Sequence, residues 1–466
     1  MIIKKVSLIE AQAPGLHIFS KFPMPRLGAI LLATILKQHG YDVTVFVEDL
    51  AEPNWPSIEN SDLVCISSIT STAPRAYHLA KKFTKLGIPV IMGGAHATFM
   101  PDEALQNVDY VIRGEGEYSL HELLQYPQTG RPSISSIKGL SYKDNSGTMR
   151  HNPPREFIHD LDSLPVPDFS LVHNWKSGHP YPVSLSRGCP CNCTFCSVIG
   201  MFGKQYRCKS IPEALRELRH AKSASTGLKF IVDDNFAANK TRSREILSCM
   251  IADRMAMQWS AQVRTDVSKD PQLLRLMADA GCHILHIGFE SINPGTLAAY
   301  NKKQDKNDII SCIQAVHDHG IHIHGMFVIG ADTDTLETIQ DTVQFATENR
   351  IDTIQIMILT PLPGTPLFSE MEKNGRLLHT DWSVYDVQHV VFKPLHMSPA
   401  ILQTETFRAM GRFYSWKYIL NHLLYADFHY TMIWMFGKTA VAKTLRSFPA
   451  YIEHFGLHDN PETLRT

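Results

Sequence analysis

With 466 residues the chain is too long for one ordinary core and implies two or three domains. Hydrophobic residues at 44% and charged residues at 20% are normal globular usage and exclude long disorder. The 45 Lys plus Arg against 46 Asp plus Glu leave a net charge of -1, and no basic run offers the concentrated positive face that nucleic-acid binding needs.

The opening MIIKKVSLIE carries two lysines in a short apolar run and no small-residue cleavage site, so it reads as a first strand and not as a signal peptide. Residues 1–130 then alternate strand-like runs (Lys5–Ile9, Asp42–Val47, Leu63–Ser67, Pro89–Met92, Tyr110–Ile112) with helical patterns at Leu27–His39, Pro74–Leu86 and Tyr118–Leu124. That alternation predicts a Rossmann-like, doubly wound parallel sheet with ligands at the carboxyl ends of its strands. Small residues and glycines fall at those ends: Ser67, Ser68, Thr70 and Ser71; Gly93, Gly94 and His96; Gly114, Glu115, Gly116 and Glu117. They are either ordinary tight turns or a cradle in which backbone N–H groups approach a ligand.

Residues 131–178 are rich in Pro and Ser and read as a linker with one hairpin around Gly139–Arg150. Residues 179–395 carry a second alternating series, with strands at Val183–Ser186, Phe230–Asp233, Trp259–Val263, Ile284–Phe289, His322–Ile329 and Thr353–Leu359. Helical patterns separate them at Pro212–Ala224, Arg242–Arg254, Pro271–Ala280, Asn307–His319 and Leu336–Glu348. Six such units predict an open (β/α) barrel whose site gathers at the strand C-termini. Residues 396–466 read as helices rich in aromatic residues, among them Phe413, Tyr414, Trp416, Tyr418, Leu423, Leu424, Tyr425, Phe428, Tyr430, Trp434 and Phe436. The stripe is either a packed cap or a shelter for a long apolar substrate or membrane surface. Asn421, His422, Asp427 and His429 interrupt it, so no transmembrane segment is expected.

Nine cysteines, four of them between Cys189 and Cys196, suggest a reducing, cytoplasmic setting and a metal or cluster site in place of disulfides. The stretch Arg187-Gly188-Cys189-Pro190-Cys191-Asn192-Cys193-Thr194-Phe195-Cys196 follows the first barrel strand. Thiolates of Cys189, Cys193 and Cys196 can hold three irons of a 4Fe–4S cluster and leave the fourth open. A zinc site, completed by Cys208, is the competing reading, but no second ligand pair follows at finger or ribbon spacing. Cys191 is either a bystander thiol or an alternative ligand. His322 and His324 share one strand face, either as a metal pair or as packed, hydrogen-bonded side chains.

To about residue 395 the chain resembles the radical S-adenosylmethionine (SAM) superfamily, and within it the cobalamin-binding members. The resemblance rests on the cysteine loop, on Phe195 before the third cysteine, and on the later strand ends. It implies that Cys189, Cys193 and Cys196 bind the cluster and that Phe195 packs by the SAM adenine. Asp233, Asp234 and Asn235 would take the SAM ammonium; Ser260, Gln262 and Arg264 share one face, with Arg264 suited to the carboxylate. Glu290 would accept from ribose hydroxyls, or else form an inter-strand ion pair. The loop Thr360-Pro361-Leu362-Pro363-Gly364-Thr365 is shared with such enzymes. The turns at Ser67–Ser71, Gly93–Thr98 and Arg113–Glu117 resemble cobalamin-cradling loops. One departure stands out: in Glu10-Ala11-Gln12-Ala13-Pro14-Gly15 glutamine occupies the place of a cobalt-ligating histidine, so either a bound cobalamin lacks that ligand or the domain has lost the cofactor and become a scaffold.

The implied activity is reductive SAM cleavage to a 5′-deoxyadenosyl radical, with an electron from a flavodoxin or ferredoxin, and cobalamin-dependent C-methylation of an unactivated carbon in a small, lipid-like or natural-product substrate. Ring formation or contraction, carbon–carbon coupling and sulfur insertion are the alternative outcomes. A non-catalytic, metal-stabilised binding protein is the alternative of another class.

Overall fold

A computed structural model describes residues 3–13, 24–416, 418, 420 and 428–457. The chain divides into two units, Met1–Cys191 with Ser197–Asp234, and Asn192–Cys196 with Asn235–Thr466.

In the first unit the apolar runs form β1 (Lys5–Glu10), β2 (Asp42–Val47), β3 (Leu63–Ser67), β4 (Val90–Gly93) and β5 (Tyr110–Ile112), all parallel, in the order 2-1-3-4-5. Parallel strands are covered on both faces and so read as continuous apolar runs. Accordingly Val6, Leu8, Ile9, Val64 and Ile66 are buried. The helix Ala73–Lys85 turns Ala76, Leu79, Ala80 and Phe83, at helical spacing, into the same core. Strand order reverses between β1 and β3, which opens a crevice at their carboxyl ends.

The stretch expected as a linker supplies two more strands. β6 (Leu140–Lys143) and β7 (Met149–His151) form a hairpin, and β6 pairs antiparallel with β5. Its turn is set by Gly147 at φ +82° and by the Asp144 carboxylate, which accepts from the N–H groups of Ser146 and Thr148. The chain then enters β8 (Tyr181–Val183), the short antiparallel ladder of β9 (Ser186–Arg187) with β10 (Arg207–Cys208), and β11 (Lys229–Ile231), parallel to β8. The first barrel strand therefore ends earlier than expected, at Val183. The cause is local: the buried Asp233 carboxylate takes the N–H groups of Leu185 and Ser186, which removes them from strand pairing.

The second unit contains β12 (Trp259–Val263), β13 (Cys282–Glu290), β14 (His322–Ile329) and β15 (Thr353–Ile358), parallel in that order, with helices Pro271–Asp279, Lys306–Asp318 and Leu336–Glu348 between them. The six parallel strands of the second series are thus present, two in the first unit and four in the second. β13 shifts register after Gly288, and Glu290 sits there at φ +62°.

The C-terminal region is helical at Pro399–Phe413 and Phe428–His454. Its aromatic and other large apolar residues divide. Phe413, Tyr414, Tyr418 and Trp434 are buried; the Tyr418 hydroxyl donates to the Ile351 carbonyl at 2.6 Å and Trp434 Nε1 to the Asp352 carbonyl at 2.9 Å. Trp416, Leu420 and Met435 are exposed. Leu423, Leu424 and Tyr425, and the side chains of Phe428 and Tyr430, lie outside the described residues. No helix among the described residues is long and apolar enough to cross a membrane.

The Tyr414 hydroxyl donates to the Ile354 carbonyl at 2.7 Å and accepts from the Ile354 N–H at 3.1 Å, standing in for a neighbouring strand along β15. Tyr414→Phe leaves both buried groups unpaired and is expected to cost about 1–3 kcal/mol. A lower denaturant midpoint at unchanged slope checks this; an unchanged midpoint contradicts it.

Candidate functional site

At the carboxyl edge of the first sheet lies a cavity of about 460 Å³, formed within the first unit. Ser67, Ser68, Gly93, Gly94, Gly114, Glu115, Gly116 and Glu117 all line it, together with the apolar Leu27, Leu31 and Leu32 and with Arg26. Gly94 is required by space: it sits at φ +93°, and a Cβ there would lie 2.4 Å from the Ser68 carbonyl oxygen. The Ser68 hydroxyl and Glu117 Oε2 are buried without a hydrogen-bond partner among the described residues.

Three residues proposed from sequence do not reach this cavity. Thr70 and Ser71 are buried in a 3₁₀ turn. His96 is fully buried, with Nε2 held at 3.1 Å from the Tyr77 hydroxyl and 3.3 Å from Glu103 Oε1. Gln12 is exposed and outside the lining, and Pro14 and Gly15 of the same stretch lie beyond the described residues.

The sequence reading missed the partners of the two glutamates. Glu115 Oε1 accepts from Arg187 at 2.8 Å and from Arg207 at 3.0 Å, and its Oε2 from the Ile158 N–H at 2.7 Å. Glu117 Oε1 meets Arg187 Nη2 at 2.7 Å. Arg187 stands two places before Cys189, and that adjacency is the signal that the sequence offered for it.

The cysteine loop begins at Gly188, whose φ is +84° and whose missing Cβ would lie 2.4 Å from the Gln205 carbonyl oxygen. Cys189 N–H donates to the Gly203 carbonyl at 3.4 Å and Cys196 N–H to the Cys193 carbonyl at 3.3 Å. The Thr194 carbonyl accepts from Leu367 at 3.2 Å, just past the Thr360–Thr365 loop, and the Asn192 carbonyl accepts from the Asn301 amide at 3.1 Å. Cys189, Cys191, Cys193 and Cys196 are all partly exposed, unlike Cys65, Cys282 and Cys312, which are buried. A hydrogen bond with Cys191 and burial hold the Cys189 thiol above its ordinary range. Burial pushes the Cys65 and Cys312 thiols up to about 12, which leaves them inert. Among the described residues no three His, Cys, Asp or Glu side chains converge as metal ligands.

The acidic pair after β11 splits by alternation. Asp233 turns inward, where Oδ1 accepts from Leu185 N–H at 2.8 Å and Ser186 N–H at 3.1 Å and Oδ2 accepts from the Ser186 hydroxyl at 2.5 Å. Asp234 lines the cavity. Burial pushes both carboxyls up to about 6.

In the second unit, Asn235 is buried and its side-chain oxygen accepts from Ala237 N–H at 3.2 Å. Ser260, Gln262 and Arg264 alternate along β12 and its end; Ser260 is fully buried and its hydroxyl has no hydrogen-bond partner among the described residues. Glu290 pairs with Lys302 at 2.8 Å, and a Cβ on Gly288 would lie 2.6 Å from its Oε1. The partner lies in a loop and not on a strand. Phe195 meets Tyr300 edge to face, with ring centroids 4.9 Å apart at 69°. His322 Nδ1 donates to Asp352 Oδ1 at 2.8 Å, and His324 sits 2.8 Å from the Thr353 hydroxyl and 3.3 Å from Gln355 Oε1. Both histidines are hydrogen-bonded to neighbours, the second of the two readings offered by their spacing.

The radical SAM superfamily model matches residues 183–346, and the B12 binding domain model matches residues 18–124. An uncharacterized methyltransferase of Pyrococcus horikoshii is 33% identical over 407 residues, 84% of this chain and 88% of that protein. The bacteriochlorophyllide d C-12(1)-methyltransferase of Chlorobaculum tepidum is 29% identical over 421 residues, 85% of this chain and 87% of that protein. Among solved structures, the cobalamin-dependent S-adenosylmethionine radical enzyme OxsB with aqua-cobalamin bound superposes with a TM-score of 0.69 at 15% identity, covering 99% of this chain and 82% of that one, a likeness of fold.

A carboxyl raised by burial favours the folded state while protonated, so the contribution of Asp233 is present below its unfolded pKa and is lost as pH rises through about 6. Compared with Asp233→Asn, the wild type should lose about 1–3 kcal/mol between about pH 4 and about pH 6.5. Melting temperatures of both proteins across that range check it; parallel curves contradict it.

Proposed function

Since this chain belongs to the radical SAM superfamily, in the group that carries a B12-binding domain ahead of the radical SAM domain, we propose that it is a cobalamin-dependent radical SAM C-methyltransferase acting on an unactivated carbon of a small-molecule substrate. One observation carries the reading: a single chain holds a CxxxCxxC loop and, within the first unit, a glycine-lined cavity at the switch point of a doubly wound sheet.

The residues present fit the groups. Cobalamin offers a broad apolar face rimmed with carboxamides. The cavity meets it with leucines, with close-approaching backbone at Gly94, and with two buried, unpartnered oxygens at Ser68 and Glu117. Among the described residues no histidine lines the cavity, so none of these would offer cobalt an imidazole. Three partly exposed thiols at Cys189, Cys193 and Cys196 suit an iron–sulfur cluster with one open iron.

When bound, the cluster and SAM supply a 5′-deoxyadenosyl radical for hydrogen abstraction, and cobalamin supplies the methyl group. The chain's part is binding and placement. Phe195, in T-shaped contact with Tyr300, would pack against the adenine. Asp234 and Asn235 would take the ammonium, while Asp233, committed to Leu185 and Ser186, braces the start of the loop. Arg264 would take the SAM carboxylate with Ser260 and Gln262 beside it, and Glu290, paired with Lys302, would accept from the ribose hydroxyls. A flavodoxin- or ferredoxin-like donor supplies electrons. The exposed Trp416, Leu420 and Met435 support an apolar, lipid-like substrate and a cytoplasmic enzyme that works beside a membrane. In this reading residues 1–130 hold cobalamin, 131–178 connect, 179–395 form the radical SAM barrel and 396–466 the helical region.

The test uses anaerobic, reduced enzyme with SAM labelled in its methyl group. Wild type should form 5′-deoxyadenosine and leave label on protein-bound cobalamin. Cys196→Ala should lower 5′-deoxyadenosine at least about 100-fold, and Cys191→Ala should stay within about twofold. Cleavage of SAM with no label on cobalamin would move the reading to ring formation, coupling or sulfur insertion. No cleavage at all in iron-loaded wild type would leave a binding protein.

A further inference from the structure

We propose that Arg187 is a positioning residue: it fastens the cavity turn Gly114–Glu117 to the strand that leads into the cysteine loop, so that filling the cavity resets Cys189. The inference rests on the cavity being the cobalamin site.

Arg187 and Arg207 lie directly opposite each other in the two-residue ladder of β9 and β10. Like charges in that position repel and weaken a ladder. Glu115 lies between them and meets Arg187 at 2.8 Å and Arg207 at 3.0 Å, and Glu117 takes the second nitrogen of Arg187 at 2.7 Å. Two cations and two anions balance in a nearly dry place, with side-chain exposures of 16% for Arg187, 2% for Arg207, 2% for Glu115 and 7% for Glu117. Buried ion pairs seldom improve on apolar packing as a source of stability, so four charges here point to a task of position.

Two features connect the group to a ligand. Arg187, Glu115 and Glu117 all line the cavity, and Glu117 Oε2 is buried with no hydrogen-bond partner among the described residues. A ligand carboxamide N–H can fill that vacancy, and it then draws on the carboxylate whose other oxygen holds Arg187. On the far side, the backbone at Gly188 packs against the Gln205 carbonyl oxygen so closely that no Cβ fits there. Cys189 follows at once, pinned by its N–H to Gly203. A change at Arg187 therefore passes to the Cys189 thiolate and not into slack chain.

The experiment compares full-length wild type, Arg187→Gln, Arg187→Lys and Glu117→Gln, each reconstituted with iron and sulfide under anaerobic conditions. Iron content, the cobalamin dissociation constant from absorbance titration, and the electron paramagnetic resonance spectrum of the reduced cluster with and without cobalamin are recorded. Cobalamin should shift the wild-type cluster spectrum. Arg187→Gln should keep its iron, lose that response and bind cobalamin about tenfold more weakly, as for one lost charge-assisted bond. Arg187→Lys should recover part of both. An iron-loaded Arg187→Gln with the wild-type constant and the wild-type spectral response overturns the proposal. Should that variant fail to hold iron, Glu117→Gln decides by the spectral response to cobalamin, since it keeps one acceptor for Arg187 but also alters the group offered to the ligand carboxamide. A wild type that binds no cobalamin contradicts the reading of the cavity itself.

Discussion

Two arginines face each other across a ladder only two residues long, and the carboxylate of Glu115 is what allows it. That interaction ties together parts of the first unit that sequence separates widely. Glu115 belongs to the turn after the last parallel strand of the N-terminal sheet, Arg187 to the approach to the cysteines, and Arg207 to the return strand beyond them. Arg207 also donates to the Phe202 carbonyl at 3.0 Å, so the chain on both sides of the loop is gripped by one buried cluster. Charges so placed demand complete pairing, because an uncompensated charge in a low-dielectric interior is far costlier than a missing apolar contact.

Parallel topology supplies the rest of the arrangement. Strands that all run one way deliver their following turns to one edge, so residues far apart in sequence, from Ser67 to Glu117, meet around a single cavity. The same logic brings Asp234, Asn235, Arg264 and Glu290 to strand ends of the second series. Small residues are used there for reach: Gly94 lets backbone approach backbone, and Gly288 makes room for the carboxylate of Glu290. Chemistry supplied by cofactors needs little more from a protein than this, namely fixed donors, fixed acceptors and a dry enclosure.

Much of the fold was legible because β-branched runs and helical spacing are local properties. β2, β3, β12 and β14 begin and end where the pattern puts them. What escaped the sequence was settled by partners at a distance. The hairpin of β6 and β7 was visible, but its pairing with β5, which makes it part of the sheet, was not. The early end of β8 depends on a carboxylate 48 residues away, at Asp233. Thr70, Ser71 and His96 lie beside the glycines and serines that line the cavity, yet Thr70 and Ser71 are buried in a 3₁₀ turn and His96 is held by Tyr77 and Glu103. Glu115 and Glu117 were singled out for the right place, and their arginine partners, being tertiary contacts, were not foreseeable from spacing.

The central claim is that one chain carries an iron–sulfur cluster and a cobalamin at the carboxyl edges of two strand series. It is tested most directly by expressing the chain with cobalamin uptake, purifying it without oxygen, and measuring iron and cobalt per chain alongside the absorption spectrum. The account predicts about four irons and one cobalt, with the cobalamin band surviving desalting. Iron without cobalt, even after incubation with cobalamin, would contradict the reading of the cavity, and zinc in place of iron would contradict the reading of the cysteines.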